Sequence, residues 1–379
     1  RGTSTAGEHV ATTSETHFGA SLAAGSNFAM IAGRDATVTA AQVRAGNDLE
    51  VAAGGNVTIG AAEDRSTFSF RGSGRNWSAQ GTSDARRIVG SSLSAGQDIV
   101  LLAGAQPAAS AAAAAAAAPS TPSSSDLLIL GSTVRSDAGD VTLAATRDVA
   151  IASVAERTVM QSQEQRRSGS FLSRKSVDEG RTFESSVQVG SLVSGETVTT
   201  VAGRDLAVRG SQVAGTGDVI LGAGRNVEIT STESTISSAQ SRTERRSGFI
   251  GSAGGGAIGF TIGSQSQSLD VRETSVVNTP GVVGSSAGSV AIEAAERYRQ
   301  RGSEVIAGQS IDIRAAEVTI EAAQDRYARE EQQTFKRSGL AVALGGPVVT
   351  SAVLARDAAM RIGDVEDDRL KAVYALRVA

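Results

Sequence analysis

The chain has 379 residues, a formal net charge of −4, only 3% aromatic residues, 43 glycines and no cysteine. So few aromatics exclude a broad core of Phe, Tyr and Trp, and the missing cysteine excludes disulfides and thiolate zinc sites. The near-neutral charge gives no global reason to expect nucleic acid as a partner, and no apolar run reaches the roughly 18 residues of a membrane-spanning helix.

The chain opens on Arg1, with no signal peptide or initiator Met, and reads as a piece of a longer protein. The lack of cysteine fits either a cytosolic protein or an exported one that crosses a pore unfolded. A first module follows near 19–62. Its stretch "AGRDATVTAAQVRAGNDLEVAAGGNVTI" restarts one short apolar-polar-apolar run three times, each behind a Gly-containing corner. The polar residues just before the runs are Asn27, Asp35, Asp48 and Asn56, separated by 8, 13 and 8.

A second module, near 90–155, carries Asp98, Asp126, Asp140 and Asp148; its first gap of 28 holds an insertion of 20 over the basic spacing of 8. That insertion, 105–125, is "AQPAASAAAAAAAAPSTPSSS", a low-complexity segment whose Ala run is too short for a stable helix in water, so a disordered surface loop is expected. The third module, near 190–231, has Thr197, Asp205, Asp218 and Asn226, again at 8, 13 and 8. The fourth, near 281–323, has Ser289, Arg297, Ser310 and Glu317 at 8, 13 and 7. Small-small-x-Val steps ending at Val43, Val134, Val213 and Val305 mark the middle of each longer gap.

Period-two alternation puts the apolar residues of each run on one face, and Gly with Asp or Asn supplies corners, because Gly tolerates positive φ and Asp or Asn bonds its own backbone. The expected fold is all-β: a right-handed parallel β-helix of about 21-residue coils, two coils per module and about eight in all, with projecting hairpins and a short helical C-terminal tail. A β-sandwich has less reason to hold one spacing across four modules. Tyr298 and Gln300 break the apolar rule, so an irregular coil is expected there.

Serine-rich segments run between the modules, roughly 62–89, 156–189, 232–280 and from 324 onward, each with a basic-Ser-Gly step: at Arg71, Arg166, Arg245 and Lys336. They read as long hairpins projecting from the rod or lying along it. Phe68, Phe70, Trp77, Phe171, Phe183, Phe249, Ile250, Phe260 and Ile262 fall in them and are the candidate contact surface. The alternative is that each hairpin buries its aromatics against the flank of the rod. The repeat domain is expected over 1–349, and residues 350–379 show helical spacing at Val365, Leu370, Val373 and Leu376, leading into a following domain.

Enzyme chemistry finds little support. The only two histidines, His9 and His17, lie outside the clear repeat, and the Asp and Asn corner residues share one structural explanation. "GGGAIG" lacks the Lys-Ser/Thr of a phosphate loop. No catalytic residue, cofactor or metal is assigned. The pairs Arg166-Arg167 and Arg245-Arg246 could meet anionic glycans or lipid headgroups, although short charge pairs are more often simply solvated.

The pattern "AGRDLAVRGSQVAGTGDVILGAGRNVEI", followed by "RRSGF" and "GGGAIGFTIGSQSQS", resembles the haemagglutinin repeats of two-partner-secreted exoproteins, a group that includes filamentous haemagglutinins and contact-dependent growth inhibition effectors. The resemblance covers about Gly19 to Glu321. It implies export through a dedicated outer-membrane transporter as partner, and a secreted filament on a Gram-negative cell surface. It also implies a receptor on a host or neighbouring cell, glycan or outer membrane. Three functions follow: a non-enzymatic filament segment in adhesion and presentation of a C-terminal effector, a toxin-translocation module that engages the target outer membrane, or a glycan-cleaving β-helix. The first is preferred.

Overall fold

The computed structural model describes residues 7–104, 124–254 and 257–343, with the backbone alone for 250–254, 257–261 and 341–343. Every regular element among them is a strand, and the strands form four sheets of eight.

Three of the sheets are parallel and wind together. The chain runs through Ser21–Ala24, Phe28–Ala32 and Ala36–Thr39, one strand in each sheet. Then Gln42–Ala45, Leu49–Ala53 and Val57–Gly60 lie in register on them. The same circuit repeats to Glu304–Ala307, Ile311–Arg314 and Glu317–Glu321, so eight strands per sheet make eight stacked coils. This is a parallel β-helix, and at about 4.8 Å per coil the stack is roughly 40 Å long.

Inward side chains stack in files. In one sheet Val57, Leu127, Val149, Leu206, Val227 and Tyr298 pair in succession, all of them buried. Each buried aliphatic contributes about 1.5–3 kcal/mol, so a core without Phe or Trp stabilises the stack by sheer repetition. The outward partners of these residues are Thr58, Ala150 and Glu228, the polar or small half of the alternation.

The structure corrects the sequence reading in two respects. A coil has three strands, not two: the small-small-x-Val step leads into the third strand, whose corner carries no Asp or Asn to mark it. Its valines Val43, Val134 and Val213 are buried. The fourth module is also regular where irregularity was expected. Tyr298 occupies the file position of Val227, and Gln300 that of Ile229. The wide phenol ring fills the core there, and the two polar ends bond each other at 2.9 Å.

The fourth sheet is antiparallel and flanks the helix. Gly7–Glu15 precedes the first coil; the hairpins Ala62–Gly74/Trp77–Val89, Val154–Gly169/Ser173–Val189 and Thr232–Gly254/Ala257–Thr279 leave after every second coil; Arg326–Ala343 follows the eighth. They pair in that order as one sheet, so the hairpins share a continuous surface. Residues 105–123 of the insertion lie outside the described residues, but Leu127 still pairs with both Val57 and Val149 beyond it. The expected tail at 350–379 also lies outside the described residues.

Candidate functional site

The corner position accounts for the recurrent Asp residues of the repeat without any chemistry of turnover. At the corner before one strand of each coil, Asp35 Oδ1 accepts from Asn56 N at 2.8 Å, Asn56 Oδ1 from Asp126 N at 2.9 Å, Asp126 Oδ1 from Asp148 N at 3.2 Å, and Asp148 Oδ1 from Asp205 N at 3.1 Å. Asn226 closes this file by donating its amide to Asp205 Oδ1 at 2.9 Å. A second file joins Asp48 to Asp98 (3.3 Å), Asp98 to Asp140 (2.9 Å), Asp140 to Thr197 (2.9 Å) and Asp218 to Ser289 (2.7 Å). These side chains bond the next coil, where the sequence reading had them bond their own turn. A corner N–H in a stacked coil has no partner within its own turn, so the neighbour's carboxylate or amide meets it.

Arginines join the first file. Arg147, Arg204 and Arg225 place Nε 2.6, 2.8 and 2.8 Å from Asp126, Asp148 and Asp205, each in a fork that engages both carboxylate oxygens. The Arg147 fork holds the Asp126 carboxyl below the ordinary Asp range, and Arg225 does the same for Asp205.

The third corner was missed altogether. Ser91, Ser132, Ser191 and Ser211 are buried there, and each hydroxyl accepts from the preceding coil: Ser91 N to Ser132 Oγ at 3.1 Å, Ser132 N to Ser191 Oγ at 3.3 Å, Ser191 N to Ser211 Oγ at 3.1 Å. The signal was present in the Ser of "GSTV" and "GSQV".

The flanking sheet carries the candidate contact residues, and its register sorts them. Directly opposed residues share a face, and their sequence neighbours take the other. Phe68, Ser83, Met160 and Phe183 form one cross-strand row. Trp77, Arg166, Val177, Glu244, Gln267 and Phe335 form another on the same face. Phe68 and Phe70 have ring centroids 5.9 Å apart. Phe70 and Trp77 also cover glycines: a Cβ on Gly81 would stand 2.4 Å from the Phe70 ring, and one on Gly72 2.8 Å from the indole. Aromatics laid over neighbouring glycines shield backbone on this face.

Phe171 stands fully exposed at a hairpin tip. Phe249 opposes Ile262, and Ile262 opposes Leu340, all three exposed. The side chains of Ile250 and Phe260 lie outside the described residues.

The opposite face is polar apart from the Phe249, Ile262 and Leu340 row, which lies on it. A groove of about 1060 Å3 crosses it, with Arg71, Gln80, Gln163 and Asp270 along one wall. Gln80 donates to Gln163 at 3.3 Å. His9 lines this groove, whereas His17 sits near the first coil with Nδ1 3.1 Å from Asp64. The His17 backbone N–H, donating at 2.7 Å, is the main reason that the Asp64 carboxyl lies below its ordinary range. Among the described residues no group of three or more His, Asp or Glu could hold a metal ion.

Comparison with known proteins agrees with this architecture. The family described as "Hemagglutinin repeat" matches residues 2–166 and 172–336. The chain is 35% identical over 64% of its length to the "tRNA nuclease CdiA" of Escherichia coli, and 31% identical over 67% to "tRNA nuclease CdiA-2" of Burkholderia pseudomallei. It is 35% identical over 63% to "16S rRNA endonuclease CdiA" of Enterobacter cloacae. It spans only 7%, 8% and 7% of those relatives. No solved structure matches it. Because both matched stretches fall on the coils and flanking strands described above, this chain belongs to the haemagglutinin-repeat family.

Proposed function

We propose that the chain is a non-enzymatic filament segment of a large secreted exoprotein, displayed on a Gram-negative surface, acting in cell contact and presenting an effector carried elsewhere in the parent. The observation that supports this most is the ladder itself. The first six coils repeat one set of corner bonds, and the corner acids that might have served catalysis are engaged in it. A stack of this kind separates two ends of a protein at a fixed distance, which is what a stalk does.

The coils are right-handed, with a repeat of about 21 residues where no hairpin or insertion intervenes, as between Asp35 and Asn56. The repeat domain runs over 1–349, with 350–379 a helical connection to a following domain. The partners are an outer-membrane transporter of the two-partner secretion type and a surface receptor on the contacted cell. This chain covers only 7% of the two relatives named as nucleases from Escherichia coli and Enterobacter cloacae, and their activity is not carried over to it.

A second reading has its own support. The exposed row Phe249, Ile262 and Leu340 would suit contact with the target outer membrane during toxin entry. A chimera tests both, with this chain replacing the matched stretch of the Escherichia coli relative. The filament reading expects surface display, target-cell attachment and inhibition to survive, and display without attachment would sink it. If changing Phe249, Ile262 and Leu340 to Ser abolishes inhibition while attachment persists, the translocation reading prevails.

A further inference from the structure

The basic-Ser-Gly steps at Arg166, Arg245 and Lys336 serve neither coil nor corner. The flanking sheet nevertheless brings them side by side. Arg167 opposes Ser176, Ser176 opposes Arg245, Arg245 opposes Ser266 and Ser266 opposes Lys336. One face therefore carries cation, serine, cation, serine, cation across five strands. With strands about 4.8 Å apart, the cations recur every 9–10 Å or so over a span of about 19 Å. A parallel row on the same face, two residues along, holds Arg174, Ser247, Ser264 and Ser338. Between these rows runs a groove of about 850 Å3.

The charge balance differs sharply between the two faces of the same strands. On the far face Arg166 pairs with Glu164, while Lys175 and Arg246 meet Glu244 at 3.2 and 2.5 Å. On the groove face Arg167, Arg174, Arg245 and Lys336 are exposed, and none of them enters an ion pair among the described residues. Asp178, two residues from Ser176 on that face, is engaged by Gln165 at 3.2 Å. No aromatic side chain lines the groove. A single-stranded nucleic acid would therefore find no platform for its bases.

We propose that this groove binds an extended glycan bearing phosphate or sulfate groups. Guanidinium forks match tetrahedral oxyanions in a bidentate fashion, Lys336 adds a point charge, and the intervening serines donate to remaining oxygens and to sugar hydroxyls. The inference goes beyond the filament reading and does not rest on it, because the isolated chain suffices for the test.

The full chain would be titrated at near-physiological salt against four labelled probes: a sulfated dextran oligosaccharide, a phosphorylated mannan oligosaccharide, neutral dextran and oligo-dT. Binding of either anionic glycan, without binding of neutral dextran, is expected, and the tighter of the two identifies the anion. The variant R167S/R245S/K336S should weaken that binding on the order of 10- to 100-fold, with a shallower salt dependence. The equally charged control R166S/R242S/R329S, on the other face and outside the groove, should stay within roughly 3-fold. Arg245→Gln alone, the mildest change, should still cost about 3- to 10-fold. Equal losses in the two triple variants, oligo-dT binding as tightly as the glycans, or no glycan binding by the parent would each overturn the proposal.

Discussion

The Tyr298 hydroxyl donates to Gln300 Oε1 at 2.9 Å, and the Gln300 amide passes the contact on to the Ser303 carbonyl at 2.9 Å. This small polar relay interrupts the aliphatic file that runs from Ala36 to Val318, and burial pushes the Tyr298 phenol up to about 12. Tyr298→Phe keeps the ring but leaves Gln300 Oε1 without its donor, so a loss of about 1 kcal/mol is expected in urea unfolding. An ultraviolet titration should show a phenol that ionises near 12, and the Phe variant should lose it. A Phe variant as stable as the parent would show that ring packing alone matters there.

Ser191 joins three coils at once. Its hydroxyl accepts from Ser132 N at 3.3 Å and lies 2.8 Å from the Ala152 carbonyl. Ser191→Ala strands both groups in a buried corner, where an unmet donor or acceptor costs about 1–3 kcal/mol. The corresponding change at exposed Ser66 on the flanking sheet should cost less than about 0.5 kcal/mol. Similar unfolding midpoints for the two variants would refute the distinction.

Acid should loosen the rod through two named carboxylates. The unfolded chain titrates Asp near 3.9, and the folded values of Asp126 and Asp205 lie lower because of Arg147 and Arg225. Their contribution is therefore full above the unfolded value and fades as pH falls through the folded one. Unfolding midpoints measured from neutral pH downward should decline in that window. The double variant Asp126→Asn, Asp205→Asn should start lower at neutral pH and decline less. Parallel curves would assign the acid response to other groups.

Trp77, the sole tryptophan, reports on the flanking sheet. A methyl group at Gly72 would stand 2.8 Å from the indole and lift it off the strand. Gly72→Ala should red-shift the emission and leave the coil core intact by circular dichroism. An unchanged spectrum would mean that the ring does not rest on Gly72.

Much of the coil stack was legible because its signals are local. The 8–13–8 spacing of Asn27, Asp35, Asp48 and Asn56 marks two of the three corners. The third strand was obscured because no Asp or Asn stands before it: Ala40 and Ala41 occupy the corner ahead of Gln42–Ala45. The flanking sheet was the least legible part, because its register is set between segments far apart in the chain. Sequence alignment of the basic-Ser-Gly steps sets Arg166 beside Arg245. The ladder instead puts Arg167 in that row and sends Arg166 to the other face. A slip of one residue reverses the face of every side chain in a strand, and no local motif carries that information. The contact role expected of the aromatics also looked different once Gly72 and Gly81 were seen beneath Trp77 and Phe70.

The corner bonds also give the rod a polarity. In both Asp/Asn files the acceptor sits on the earlier coil and the N–H on the later one, as in Asp35 to Asn56. At the serine corner the direction is opposite, since Ser132 N reaches forward to Ser191 Oγ. The two ends of any coil therefore present unlike and mutually matching chemistry, so stacking is head-to-tail. An end coil of the stack therefore carries, at its corners, donors and acceptors that only a further coil in the same orientation would complete.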